Sequence, residues 1–331
     1  MSECQGLTPI FIGKVKIDVP LFLAPMAGIT DLPFRLQAKR GGAGVVITEM
    51  VSSNACVYGS KRTLQKMSID NKEHPAGIQL FGSDPDKLIR SAEMAADCGA
   101  DFININLGCP VPKIIKSGAG FALMDDHEKI GSFFKKLVKG IKLPVTIKLR
   151  LGTTRNAKKY LLIGRIAYES GILAVILHCR LKEGKHNSEP DYTAVADLVK
   201  QIKIPVIANG GIDTPEIAYN VYKETNCAGL MIGQGAIGNP HIFSQIIDYF
   251  RKGRISDNKD KCCRLKYLEE LLIDTFEYYK DEKSLFRLRK LLPFYSKGLP
   301  GISDFRKNFN MLLDYKEMIK LVRDQIRIRG S

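Results

Sequence analysis

The stretch Asn104-Ile105-Asn106-Leu107-Gly108-Cys109-Pro110 marks the end of a buried strand. The apolar run at residues 102–107 is typical of a strand that is covered on both faces. Because Pro110 has no backbone N–H to donate to a sheet, we expect the chain to turn out of the sheet here. Asn106 and Cys109 should then lie together at the carboxyl end of the strand. A thiol beside an amide on such a loop is suited to proton donation, although a cysteine in a turn, taken alone, more often simply packs.

Apolar runs of similar length recur along the chain, and each one ends in a polar or glycine-containing loop. The eight runs occupy residues 21–26, 45–48, 78–81, 102–107, 145–149, 173–178, 206–208 and 230–232. Segments with helical patterning lie between them at residues 85–98, 128–139, 160–170, 193–201 and 215–224. This alternation indicates a parallel sheet covered by helices. A doubly wound open sheet is the competing fold. Eight regular units, without a GxGxxG motif after the first strand, favour an α/β fold of the (β/α)8 TIM-barrel type.

The pattern changes in the last quarter of the chain. Apolar strands no longer occur after residue 240, and residues 264–280, 284–292, 304–313 and 316–326 are patterned as helices. We therefore predict two domains: a catalytic barrel at residues 1–253 and an all-helical domain at residues 254–331. Residues 10–12 and 15–17 predict a small hairpin that caps the barrel.

Charge and cysteine content limit the class of protein. The 331 residues carry a net charge of +15, and residues 251–331 contribute 20 Lys/Arg against 12 Asp/Glu, which is +8. Such an excess suggests a polyanionic partner, although a merely basic surface is the alternative. The eight cysteines include no CxxC spacing, so neither a metal site nor a disulfide framework is indicated. We see no secretory signal and no run of about 20 apolar residues, so we expect a cytoplasmic protein without a membrane partner.

Polar residues without an obvious packing role fall at the ends of the predicted strands. In a TIM barrel the loops at this end build the active site, and the glycine-containing loops after strands seven and eight bind phosphate. The pattern thus describes a mononucleotide cofactor lying across the barrel mouth. Lys148, if it lies near the N1/O2 edge of a flavin, would stabilise the charge of the reduced ring. Taken singly, Lys148 could extend toward solvent and His178 could be a core histidine.

Four motifs together carry a resemblance to a known family. They are Ala24-Pro25-Met26-Ala27-Gly28-Ile29-Thr30-Asp31, the stretch Asn104–Pro110, residues 233–240, and the tail segment that ends Lys297-Gly298-Leu299-Pro300-Gly301. With these motifs the chain resembles the tRNA dihydrouridine synthases, most closely their bacterial B-type branch, from about residue 9 to residue 310. The resemblance implies an FMN enzyme that reduces the C5=C6 bond of selected uridines in the tRNA D-loop. NADPH, or NADH, would recharge the flavin.

The resemblance also implies roles for individual residues. Cys109 matches the proton donor to C5, and Asn106 matches the amide that orients the uracil. The positions that match flavin contacts are Pro25, Met26, Ala27, Gln79, Lys148, His178, Asn209, Gly211, Gly233 and Gln234. A substrate contact is also expected from Arg180. Apart from the resemblance, Arg287, Arg289 and Lys290 of the basic tail lie at spacings that put them near one helix face, and we expect them to contact the phosphates of the tRNA. The chain departs from the family where Gln234 replaces a usual arginine and Gly211 a usual aspartate, so the phosphate should rest more on backbone N–H groups.

Two other functions fit part of the pattern. A different FMN barrel reductase, such as a dihydroorotate dehydrogenase-like enzyme, would suit residues 209–212 but would leave the basic tail without a role. A non-catalytic RNA-binding protein would keep the barrel as a scaffold and would purify colourless. Binding to tRNA should weaken steeply as salt rises, whereas reduction of a small metabolite should not. We expect a monomer that acts on tRNA and needs no metal.

Overall fold

The computed structural model describes residues 6–154, 157–182, 188–254 and 263–330. Its strands are β1 (Ile10–Ile12), β2 (Val15–Ile17), β3 (Leu21–Leu23), β4 (Val45–Ile47), β5 (Val51–Ser52), β6 (Ala76–Phe81), β7 (Phe102–Asn106), β8 (Val145–Arg150), β9 (Ala174–His178), β10 (Val206–Asn209) and β11 (Gly229–Ile232). Its α-helices are α1 (Leu32–Arg40), α2 (Ser53–Val57), α3 (Lys61–Met67), α4 (Pro85–Asp97), α5 (Pro112–Lys116), α6 (His127–Gly140), α7 (Lys159–Glu169), α8 (Thr193–Gln201), α9 (Pro215–Thr225), α10 (Ile242–Lys252), α11 (Cys263–Tyr279), α12 (Leu292–Tyr295), α13 (Ile302–Met311) and α14 (Tyr315–Gly330). Short 3-10 helices cover Asn71–Glu73, Gly120–Met124, Gln234–Ala236 and Glu282–Lys290. In these described ranges no helix is both long and apolar enough to cross a membrane.

The strands close into a parallel barrel. The order of hydrogen-bonded neighbours is β3, β4, β6, β7, β8, β9, β10 and β11, and β11 pairs again with β3. The two-residue strand β5 continues the direction of β4 and pairs with the upper end of β6. Each of the eight predicted apolar runs overlaps one of these barrel strands, and the predicted (β/α)8 fold is confirmed.

Local capping explains where several helices begin. The Asp84 side chain accepts hydrogen bonds from the first N–H groups of α4, and Pro85 occupies the first turn, where no backbone donor is needed. Thr214 and Pro215 start α9 in the same way. These caps fix where each strand-to-helix loop ends, and such loops form the rim of the barrel.

The barrel interior changes character from one end to the other. At the amino ends of the strands the interior is apolar and fully buried, and the β1–β2 hairpin packs against it through Ile12 and Ile17. A side chain at Gly13 of the hairpin would touch Pro144 and Leu173, which precede β8 and β9. The hairpin therefore closes the amino end, as predicted, and the polar side chains are left at the carboxyl end.

A buried ion pair holds the first barrel helix and its loop. Arg35 on α1 donates to both carboxylate oxygens of Glu73, at 2.5 and 3.2 Å, and both side chains are fully buried. The guanidinium also donates from Nη1 to the carbonyl oxygen of Thr30 and from Nη2 to that of Ser68. Because each guanidinium nitrogen of Arg35 has an acceptor, the cost of its burial is offset. The loop that ends at Thr30 is thereby anchored to the 3-10 helix at Asn71–Glu73.

The carboxyl-terminal helices pack against the barrel through α1. The Gln37 amide on α1 donates to the carbonyl of Tyr267 and accepts from the buried Tyr295 hydroxyl at 2.9 Å. The segment predicted as a helix at residues 284–292 is instead a 3-10 helix followed by the short α12. The start of the predicted second domain, residues 255–262, lies outside the described residues. The division into two domains stays a prediction.

Candidate active site at the barrel mouth

The carboxyl ends of the barrel strands surround a cavity of about 710 Å³, a size typical of small-ligand and cofactor sites. The structure brings most of the predicted site residues to its wall. Those that line it are Pro25, Met26, Ala27, Gln79, Asn106, Cys109, Lys148, His178, Arg180, Asn209, Gly211, Gly233, Gln234 and Lys290.

Two predicted substrate contacts lie away from the cavity wall. Arg287 donates to the Tyr279 hydroxyl at 2.6 Å, stacks on the Tyr279 ring and lies 3.5 Å from the partly buried Asp31 carboxylate. Arg289 donates to the carbonyl of Leu312 at 2.7 Å and stacks on Phe286. Both arginines therefore make contacts within the protein, whereas Lys290 lines the cavity.

A chain of buried amides runs beneath the cavity. Asn106 donates from Nδ2 to Gln79 Oε1 at 2.9 Å, and Gln79 donates from Nε2 to Asn104 Oδ1 at 2.7 Å. Asn104 then donates from Nδ2 to the Thr146 hydroxyl at 2.9 Å. The Thr146 hydroxyl itself donates to the carbonyl of Ile103. Because the Thr146 oxygen can then only accept from Asn104, every amide in the chain has a defined orientation.

The other end of the chain agrees with this orientation and fixes the cysteine loop. Asn106 Oδ1 accepts from the backbone N–H groups of Gly108, at 3.2 Å, and Cys109, at 3.0 Å. If the Asn106 amide were turned the other way, its NH2 group would face these N–H groups, and donors would meet donors. Asn106 therefore has its oxygen committed to the protein, and only its second Nδ2 hydrogen is left for a ligand.

The Cys109 thiol is held in its protonated form. Burial raises its pKa, and the Val111 N–H and the charge of Arg150 oppose this effect only in part. An ordinary thiol is already mostly protonated at neutral pH, so the raised pKa removes the thiolate further. A half-buried thiol in this state is a proton donor, and it is a poor nucleophile.

Cationic side chains converge on the cavity floor. Lys148 donates to Asn209 Oδ1 at 2.8 Å, and burial, with a smaller contribution from the charge of Arg150, lowers its pKa to about 7. Burial and the charge of Arg180 likewise lower the pKa of Arg150. Among the lining residues there are four cations and one carboxylate, Asp213. This imbalance favours an anionic ligand.

The loops on the His178 side are tied to one another by the arginines. Arg180 Nη1 lies 3.4 Å from His178 Nε2, and its Nε donates to the carbonyl of Ser188. Arg150 donates to the carbonyls of Gly108 and Leu181 at 3.0 and 2.9 Å. Arg150 thus connects the cysteine loop to the loop after β9.

The first barrel loop is fixed by side chains that accept from its backbone. Met26 N–H donates to the Thr30 hydroxyl at 2.9 Å, and Gly28 N–H donates to the Glu49 carboxylate at 2.6 Å. Lys66 neutralises Glu49 at 3.1 Å. Because the loop is held from behind, residues 24–28 present a small-residue backbone surface to the cavity.

Glycine is required in the loop after β10. Gly210 and Gly211 have φ values of +117° and +73°, which L side chains rarely adopt. A Cβ at Gly211 would also lie 2.9 Å from the Pro190 ring and 3.0 Å from the Tyr192 hydroxyl. The Tyr192 hydroxyl donates to the carbonyl of Gly210 at 2.7 Å. The loop can therefore approach a ligand with its backbone alone, and the aspartate usual in the resembling family would not fit here without rearrangement.

Sequence reasoning missed several polar residues of this region, among them Asn104, Thr146 and Arg150. Side chains alternate between the two faces of a strand, so Thr146 and Arg150 share the inward face of β8 with Lys148. Asn104 shares a face of β7 with Asn106 in the same way. The period of two around Lys148 and Asn106 was the signal that could have identified them.

Within the described part of the chain, the site contains no metal-binding cluster. Among the residues that the structure describes, no group of three or more His, Cys, Asp or Glu side chains could hold a metal ion. The six cysteines described are free thiols.

Comparisons with known proteins agree with this architecture. A family model described as dihydrouridine synthase (Dus) matches residues 22–328. The tRNA-dihydrouridine synthase B of Pseudomonas aeruginosa is 34% identical over 308 residues, 93% of this chain and 93% of that protein. A probable tRNA-dihydrouridine synthase of Rickettsia bellii is 35% identical over 92% of this chain and 94% of that protein.

A solved structure shares the fold at low identity. The old yellow enzyme homologue from Zymomonas mobilis superposes with a TM-score of 0.56 at 14% identity, over 76% of this chain and 94% of that one. At this identity the likeness shows a shared fold and nothing more. The family-model match and the two relatives extend over nearly the whole chain, and on their evidence the chain belongs to the dihydrouridine synthase family.

Proposed function

We propose that this protein is a flavin-dependent tRNA-dihydrouridine synthase, which reduces the C5=C6 bond of uridines in the tRNA D-loop. FMN is its cofactor, and NADPH or NADH is its reductant. The observation that carries the proposal is the position of the Cys109 thiol, whose pKa is raised by burial, on the wall of a cationic cavity of about 710 Å³. Family membership supports the same reaction.

The cavity fits FMN in both shape and charge. Residues 25–27 offer a flat backbone surface for the ring, and Gln79, Lys148 and His178 offer polar contacts to its edge. Asn209, Gly211, Gly233 and Gln234 would hold the phosphate end. Gln234 carries no charge, so the phosphate relies on backbone N–H groups and on the nearby cations. When bound, the flavin supplies the hydride that reduces uracil C6.

The residues of the chain complete the reduction. The Cys109 thiol gives its proton to C5, and the thiolate that remains takes a proton from solvent before the next cycle. Asn106 donates its remaining N–H to a carbonyl oxygen of the uracil, because its own oxygen already accepts from Cys109 N–H. Lys148 and Arg150 stabilise the negative charge that develops on the base.

The substrate must leave its stack to reach this cavity. Unstacking costs least in a loop, where RNA bases are accessible. We assign Arg180 and Lys290 to contacts with the RNA near the target uridine, because both line the cavity. The helical domain at residues 254–331 holds the body of the tRNA, with Arg287 and Arg289 shaping that domain through their internal contacts. A monomer in the cytoplasm is sufficient for this reaction.

The test is reduction of an unmodified tRNA transcript by the purified protein. We expect a yellow protein with noncovalent FMN that forms dihydrouridine when NADPH or NADH is supplied. Side-by-side assays with the two nucleotides decide the preferred reductant. A colourless protein that binds tRNA, or a yellow one that ignores tRNA and whose activity does not depend on salt, would refute the proposal.

A further inference from the structure

The rim of the cavity carries an exposed aromatic ring, Phe294 on the short helix α12. Large apolar side chains that are exposed occur at several places in the described chain, but of these only Phe294 and Val111 line the cavity. Phe294 is 38% exposed. An exposed aromatic side chain beside a binding cavity suggests a contact that forms only when the ligand is bound.

The backbone of Phe294 is fixed from both sides. Its carbonyl oxygen accepts from Arg264 Nη1 at 3.1 Å. On the barrel side Gly238 has a φ of +75°, and a Cβ there would lie 2.6 Å from the same carbonyl oxygen. Gly238 thus allows the barrel loop to approach this segment closely.

The neighbours of Phe294 are equally constrained. Tyr295 is fully buried, and its hydroxyl donates to Gln37 on α1. The carbonyl of Pro293 accepts from Arg306 at 3.2 Å. Leu291 and Leu292 are buried as well. The fold therefore fixes the backbone of this short segment and leaves the Phe294 side chain partly exposed at the cavity rim.

We propose that Phe294 forms a nucleobase-stacking subsite, which takes a base next to the target uridine once that uridine has entered the cavity. This proposal rests on the proposed function, because the uridine must be extruded and its flanking bases then lose a stacking partner. An aromatic ring replaces that partner for any base, since every base has a π face. Lys290, which also lines the cavity, is placed to contact the adjoining phosphate.

The ring could in principle stack on the adenine of the nicotinamide reductant instead. The RNA base is favoured because Phe294 belongs to the basic carboxyl-terminal segment and shares the rim with Lys290. Val111 adds a second exposed apolar contact, two residues after Cys109 and hence next to the reacting base. These features place the subsite along the path of the RNA.

The test compares Phe294→Ala, Phe294→Leu and Phe294→Tyr with Met311→Ala in the flavin-loaded enzyme. Met311 is a matched control, because it is a 70% exposed apolar residue of the same helical region that does not line the cavity. We expect Phe294→Ala to raise the Kd for unmodified tRNA roughly 5- to 150-fold. Leucine should restore little of the affinity and tyrosine most of it. The slope of affinity against salt should stay that of wild type, because no charge is removed.

The remaining measurements separate this proposal from others. Thermal unfolding of each variant checks that it is folded. If Phe294→Ala does not fold, Phe294→Leu, which keeps more of the side-chain volume, takes its place in the comparison. A Phe294→Ala enzyme that binds tRNA as tightly as Met311→Ala does would overturn the subsite, and so would a rise in the KM for NADPH with an unchanged Kd for tRNA. If wild type binds tRNA through Phe294 but forms no dihydrouridine, the subsite stands and the proposed function fails.

Discussion

Burial of Lys148 lowers the stability of the folded protein, and replacement of this lysine by methionine should therefore raise the free energy of unfolding. Burial lowers its pKa from the ordinary 10.5 to about 7 in the ligand-free protein. Between these two pH values the unfolded chain binds the proton and the folded chain does not. By linkage, the wild-type protein should therefore become more stable as the pH rises from about 7 toward 10.5.

The magnitude follows from the fall in pKa. One pKa unit corresponds to about 1.4 kcal/mol, so the fall from 10.5 to about 7 sets an upper limit of about 5 kcal/mol at pH 7 and below. Relaxation around the lysine and entry of water reduce this cost, and the hydrogen bond to Asn209 that methionine cannot make offsets more of it. We expect Lys148→Met to raise the free energy of unfolding by about 2 kcal/mol at pH 6–7.

The assay is urea unfolding of flavin-free wild type and Lys148→Met at several pH values between 6 and 10.5. The advantage of the methionine variant should shrink as the pH rises and vanish near 10.5. The same variant should bind FMN more weakly, or reduce it more slowly, because the cation beside the ring is lost. A stability difference that does not change with pH would refute the assignment of Lys148 as a destabilising lysine with a pKa of about 7.

Substitutions at three other positions test the supporting contacts. Thr146→Val keeps the volume but removes the acceptor for Asn104, and it should slow tRNA reduction roughly tenfold by loosening the Asn106–Cys109 loop; Thr146→Ser should restore the rate, and equal rates for the two variants would remove the amide chain from catalysis. Arg287→Glu should lower the free energy of unfolding by about 1–2 kcal/mol, because it sets a carboxylate beside Asp31. Lys290→Glu reverses a charge at the cavity instead, and it should leave the free energy of unfolding unchanged, weaken tRNA binding and reduce the dependence of tRNA affinity on salt. A loss of stability in Lys290→Glu together with unchanged stability in Arg287→Glu would contradict the geometry.

Much of the barrel could be predicted because its strands are buried on both faces and are therefore continuously apolar. Polar residues at strand ends, such as Gln79 and His178, stand out against that background. The closure of parallel strands then brings them together, which is why so many predicted residues line one cavity. The family predicted from the motifs is confirmed by the family-model match and by the relatives.

The contacts that sequence reasoning missed depend on pairing between distant segments. The Asn104–Thr146 hydrogen bond requires the register of β7 against β8, in which these two residues are direct partners. Arg287 was grouped with Arg289 and Lys290 by spacing, whereas its contact with Asp31 joins residues 256 positions apart. Packing between distant segments decides where each basic side chain of this 3-10 helix points. Sequence periodicity therefore does not predict these directions.

The central claim is that Cys109 donates the proton to C5 of the uridine, and Cys109→Ala tests it most directly. The measurement is the rate of dihydrouridine formation in a tRNA transcript, made alongside flavin content and NADPH oxidation in the same preparation. We expect the rate on tRNA to fall about 10²- to 10⁴-fold while flavin content and NADPH oxidation stay as in wild type. A variant that forms dihydrouridine at the wild-type rate would show that Cys109 only packs, and would contradict the mechanism.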